Sequence, residues 1–77
     1  MLTTGNQLKA ARALAGLDQG TLAKKAGVNI NTISSMEKRG AEVLTSGLDK
    51  IQSVMRALES EGVEFLNHGQ PGVRLVK

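Results

Sequence analysis

The residues able to do chemistry in this 77-residue chain are few, and their types point to binding rather than catalysis. His68 is the only histidine and cysteine is absent. A disulfide and a thiolate metal site are therefore excluded, and one imidazole cannot build a metal centre unaided. His68 stands between Asn67 and Gly69, turn formers that make it a solvated turn residue. The carboxylates show no paired arrangement suited to acid–base work, no Ser/His/acid set is assembled, and no glycine-rich phosphate loop precedes a helix. No enzymatic activity, metal, cofactor or small-molecule ligand is expected. What the chain offers instead is positive charge in one half. Lys9, Arg12, Lys24, Lys25, Lys38 and Arg39 face only Asp18 and Glu37 in residues 1–40, a net +4, whereas residues 41–77 carry a net −1. Such asymmetry suits a polyanionic partner, although a plainly solvated surface would carry the same charges.

Short helices must position these groups. Thr4 and Gln7 have the spacing of a capping box, followed by Leu8, Ala11, Arg12 and Ala15 at helical intervals and a stop at Gly16. Asp18 caps a second helix over 19–26, with Leu22, Ala23 and Ala26 inward and Gly27 ending it. Asn29 caps a third helix reaching Lys38, with Ile33 and Met36 inward. Residues 39–45 form a loop anchored by Val43 or Leu44. Ser46 and Asp49 read as a second capping box, opening a fourth helix whose stripe is Leu48, Ile51, Met55 and Leu58, widened by Val54 and closed by Gly62. The period then falls to two. Val63-Glu64-Phe65 and Val73-Arg74-Leu75 flank a turn containing Asn67, Gly69, Pro71 and Gly72, and pairing Phe65 with Val73 sets Glu64 opposite Arg74.

Two short helices about a glycine turn make a helix-turn-helix. Ala23 is small where the helices approach, Gly27 suits a positive φ, and Leu22, Val28, Ile33 and Met36 supply the locking apolar set. The run from Arg12 through Gln19, Ala23, Gly27 and Ile33 to Glu37 closely resembles the phage-repressor and Cro-like helix-turn-helix family, which includes the xenobiotic-response-element regulators. The resemblance covers roughly residues 5–60. It implies a mainly α, lambda-repressor-like domain of four to five helices with a short C-terminal β-hairpin. One domain over 1–77 is expected, with a helical core at 5–61 and the hairpin at 62–77.

The resemblance also assigns roles. Ile30, Asn31, Thr32 and Ser35 match positions that meet base edges in the major groove, with Ser34 bordering them. Gln19, Asn29, Lys38 and Arg39 match phosphate holders, and Lys24 and Lys25 are as readily solvated as phosphate-bound. Arg12 and Glu37 match an ion pair joining the first helix to the recognition helix. The strip lacks Arg, Lys and Gln, so AT-leaning or shape-based specificity is expected. The implied function is a sequence-specific transcriptional regulator, a repressor acting on double-stranded DNA as a homodimer in the bacterial or phage-infected cytoplasm. Val63, Phe65, Val73 and Leu75 pack either on the chain's own fourth helix or on a second subunit. The alternative is an antitoxin or co-regulator working by protein contact through the hairpin. No apolar run spans a bilayer and no signal-peptide pattern opens the chain, so a soluble, non-membrane protein is expected.

Overall fold

A computed structural model describes residues 1–67 and 69–76; the reading of His68 lies outside them. Four helices, α1 (Gly5–Ala15), α2 (Gln19–Ala26), α3 (Ile30–Lys38) and α4 (Leu48–Glu59), precede strands β1 (Val63–Leu66) and β2 (Gly72–Leu75). The mainly helical fold with a C-terminal hairpin is thus observed. None of the described helices is long and apolar enough to cross a membrane.

Each early helix begins on a side-chain cap. Thr4, Asp18 and Asn29 accept hydrogen bonds from the backbone N–H groups of Gln7, Thr21 and Asn31, satisfying donors that a helix start leaves free. α1 and α2 end alike. Gly16 and Gly27 turn left-handed (φ 72° and 70°), and the next residue donates back into the helix, Leu17 to Arg12 and Val28 to Ala23. Leu17 and Val28 then pack against the core. The two glycines therefore convert helix ends into core anchors.

The core gathers Leu2, Leu8, Ala11, Leu22, Ala23, Ile33, Met36, Leu44, Ile51, Val54, Ala57, Leu58 and Val63. Leu44, not Val43, anchors the loop after α3, while Val43 exposes its side chain and pairs its backbone with Thr4. Leu2, which helical periodicity could not reach, is almost fully buried. It arrives on an extended strap whose Thr3 carbonyl accepts from the Leu44 N–H at 2.8 Å.

Three local expectations need correction. Gln7 does reach back, but its Oε1 accepts from Thr3 N at 2.7 Å rather than from Thr4, because its Nε2 is drawn to the Gly72 carbonyl at 3.0 Å. The Ser46–Asp49 box does not form. α4 starts one residue later, with Gly47 at its cap and no side-chain cap bond. The Asp49 carboxylate folds over Gly47, 2.8 Å from where a β-carbon would sit. That shift leaves Leu48 at the solvated helix start, 58% exposed, and the buried stripe becomes Ile51, Val54, Ala57 and Leu58 with Met55 at its margin.

The hairpin register pairs Val63 with Leu75, Glu64 with Arg74 and Phe65 with Val73. Arg74 and Glu64 meet at 2.8 Å across the outer face. Val63 is buried, and Phe65 and Val73 pack on the chain's own core, through α1 as well as α4. Leu75, at the end of β2, stays 44% exposed.

Gly5 is the tightest point. A β-carbon there would lie 2.8 Å from Gly40 N, 2.9 Å from Glu37 O and closer still to Met36 O, so α1 can start against the end of α3 only without a side chain. All three atoms are backbone and cannot swing aside. Gly5→Ala is expected to lower stability by about 1–3 kcal/mol, the usual cost of overpacking. Urea unfolding checks this; an unchanged midpoint would show that the helices part without cost.

Candidate nucleic-acid interface

α2 and α3 form two arms around the turn at Gly27, Val28 and Asn29. Leu22, Ala23, Ile33 and Met36 are buried in the core that both helices face, with Ala23 only 4% exposed. Burying Ile33 and Met36 turns the opposite side of α3 outward. Ile30, Asn31, Ser35 and Lys38 are exposed, and Thr32, Ser34 and Arg39 are half-exposed beside them. Apart from Ile30 the strip is polar, and it is uncharged until Lys38 at the end of the helix.

Its angle is held by a network joining three helices. Arg12 on α1 donates to Glu37 on α3 through Nε (2.7 Å) and Nη2 (3.0 Å), a bidentate charge-assisted pair. Arg12 Nη1 donates to the Leu17 carbonyl at 3.1 Å, and Gln19 Nε2 on α2 donates to Glu37 Oε1 at 3.1 Å. The side chains of Arg12 and Glu37 are 19% and 7% exposed, so the pair is mostly withdrawn from water. Hydrogen bonding to Glu37 raises the Arg12 pKa further, outweighing the opposing effect of burial. Gln19 therefore sits with its amide N–H turned inward to Glu37, not outward with the strip. Asn29 likewise spends its Oδ1 on the cap of α3. Arg39 donates its Nε to the Val43 carbonyl at 3.2 Å, which steadies the loop leaving α3.

The first turn of α4 was not foreseen beside the strip. Asn31, Thr32 and Ser35 share a shallow groove with Ser46, Gly47 and Lys50. No spacing rule links 31–35 to 46–50; only the fold brings them together. Lys50 places a cation on the groove's far wall, next to an uncapped helix start whose N–H groups favour anions. Lys25, by contrast, lies 3.5 Å from Glu61 and ties α2 to the turn after α4, while Lys24 stays exposed. Among the described residues, no three His, Asp or Glu side chains gather as metal ligands.

A glycine-turned helix pair with its second helix turned outward defines a helix-turn-helix protein. The helix-turn-helix family model matches residues 8–59, from within α1 to the end of α4, and the chain belongs to that family, the phage-repressor and Cro-like one. It is a DNA-binding transcription regulator in that general sense, from a family that is typically regulatory. No curated protein matches the chain.

Two outcomes follow from the geometry. Arg12→Ala strands the withdrawn Glu37 carboxylate, with Gln19 as its remaining partner, and should cost about 3 kcal/mol, within the range for breaking a buried pair. A thermal melt unchanged by the substitution would contradict this. Asp18 is fully exposed, and its pKa lies below the ordinary 3.8, chiefly because the Thr21 backbone N–H bonds its carboxylate. Its stabilisation is therefore complete above pH 3.8 and lost as pH falls through the lowered value. Asp18→Asn, which keeps a capping oxygen but does not titrate, should flatten that part of the acid stability curve; an identical curve would sink the assignment.

Proposed function

We propose that the chain is a sequence-specific repressor that reads the major groove through Ile30, Asn31, Thr32 and Ser35 and binds as a homodimer. The observation carrying this reading is the segregation of α3, with Ile33 and Met36 buried, Ile30, Asn31 and Ser35 exposed, and the helix fixed at its base by Arg12 and Glu37. A rigid helix with an uncommitted polar face can enter a groove without first refolding. Asn31 suits the N6 and N7 edge of adenine, and Ser35 and the Thr32 hydroxyl accept or donate as a base requires. Lys38, Arg39 and Lys50 bracket the strip and supply phosphate contacts, with the Asn29 amide nitrogen, which the cap does not use, serving the same backbone, while Gln19 orients Glu37 instead.

Repression needs only occupancy of a promoter, which a helix pair held at a fixed angle by Arg12 and Glu37 can supply. Dimerisation falls to the part of the hairpin not used at home. Val63, Phe65 and Val73 are spent on the chain's own core, whereas Leu75 and Val76 are 44% and 51% exposed. The same packing leaves the antitoxin-like alternative without an observation of its own.

Selection of binding sites from random duplexes should recover AT-leaning half-sites about 34 Å apart, the spacing of successive major grooves. Log affinity should fall by about 0.9 per log unit of salt for each phosphate neutralised, and Lys50→Ala should reduce that slope by about one. Sedimentation of the bound species should give two chains per site. A guanine-dominated single site bound by one chain would overturn the reading.

A further inference from the structure

A cleft of about 490 Å³ opens between the first two turns of α1, Ala41 just beyond α3, and residues 70–73 of the hairpin. No spacing in the chain links these three segments; the fold alone brings them together. The size lies within the roughly 300–1,000 Å³ of small-molecule sites. Thr4 and Gln7 are buried at its base, with Gln7 only 3% exposed, while Asn6, Ala10, Ala41, Gln70 and Pro71 form an open rim. None of the residues around the cleft is charged. An ion entering it would shed water without meeting an opposite charge. The start of α1 does not change that, because the N–H groups of Asn6 and Gln7 are already spent, on the Gly40 carbonyl at 2.8 Å and Thr4 Oγ1 at 3.1 Å.

One buried donor is left over. Gln7 Nε2 donates to the Gly72 carbonyl at 3.0 Å, its one acceptor among the described residues, and so keeps a second N–H. Gln7 Oε1, by contrast, already accepts from both Thr3 N and Thr3 Oγ1. A spare donor in an uncharged cleft suits a carbonyl oxygen better than a carboxylate or a phosphate. Asn6 and Gln70 add rim carboxamides, each able to donate and accept at once, which matches the paired N–H and C=O of another amide. We propose that this cleft binds an uncharged carboxamide or lactam. Its carbonyl oxygen accepts from Gln7 Nε2, its amide edge meets the rim carboxamides, and its carbon skeleton rests on Ala10 and Val73. Residue types alone led to no small-molecule ligand being expected, since Gln7 reads locally as part of a helix cap. The site stands apart from the proposed reading of DNA, because no residue of the outward strip of α3 lines it. An occupant spans the hairpin and the segment leaving α3, so it stabilises the folded chain.

The test titrates the intact, nitrogen-labelled chain with caprolactam, a neutral lactam, and in parallel with aminocaproate, its ring-opened and doubly charged counterpart. Caprolactam should move the side-chain amide signal of Gln7 and the backbone signals of Ala10, Ala41 and Val73. The shifts should saturate with a dissociation constant on the order of 5 mM, the scale for a fragment of this size. Aminocaproate should bind at least about ten-fold more weakly, because its charges find no partner in the cleft. Ala10→Leu fills the cleft from an exposed helical position where leucine is well tolerated, so it should abolish the saturable shifts while the thermal melt holds. Ala41→Leu, on the opposite rim, should do the same. Shifts that are diffuse or never saturate, an equal response to aminocaproate, a response centred on α3, or binding that survives both substitutions overturns the inference. None of these results bears on whether α3 reads DNA.

Discussion

The Arg12–Glu37 pair is the constraint on which the rest of this structure depends. Helices of eight to eleven residues around a small core have little packing with which to define their mutual angles. A bidentate guanidinium–carboxylate contact is directional in a way that apolar contacts are not. Because Arg12 also holds the Leu17 carbonyl and Glu37 also accepts from Gln19, one cluster fixes the end of α1, the start of α2 and the end of α3. Burying such a pair costs desolvation, and replacing it with well-packed apolar residues could raise stability. Its worth lies in orientation: the outward strip of α3 is useful only if it leaves the body of the protein at one angle.

The hairpin and the N-terminal strap close the other side of the molecule. Gln7 is central there, since its amide bonds Thr3 on the strap and Gly72 on β2 from a position inside α1. An amide can donate and accept at once, so one buried side chain joins three segments with both polar ends satisfied. Among the described residues, no buried side-chain nitrogen or oxygen lacks a partner. The Met1 carbonyl is held as well, by Asn67 Nδ2 at 2.8 Å. A two-stranded hairpin alone is marginal in water, and these ties with the burial of Val63 explain how it persists.

Most of this was legible in the sequence wherever the signal was local. The caps at Thr4, Asp18 and Asn29, the stops at Gly16 and Gly27, and the hairpin register all follow from rules acting over a few residues. The misreadings have a common cause in contacts between segments far apart in the chain. Gln7 was given a local partner because Gly72 is 65 residues away. Gly5 lies between Thr4 and Gln7, where the capping-box spacing asks nothing of it, yet the end of α3 requires a glycine there. Leu2 lies outside any periodic run, and Lys50 joins the strip only because α4 returns beside α3. Ser46 and Asp49 matched a motif by spacing, but Gly47 between them could serve as the cap itself. The outward placement of Ile30, Asn31 and Ser35 on α3 was readable from the inward spacing of Ile33 and Met36, and the inward commitment of Gln19 was not.

Ile33 and Met36 carry the structural duties of α3, while Ile30, Asn31 and Ser35 carry almost none. Exposed positions away from caps and cores usually tolerate substitution within about half a kcal/mol. The outward face of α3 can therefore be rewritten while the body stands still, and a change in what that face meets need not pass through an unstable ancestor. Two copies of such a chain could differ on that face after two or three substitutions, both inheriting the same scaffold. Such freedom stops abruptly at Glu37, one residue beyond Met36, where the next change would loosen every orientation at once.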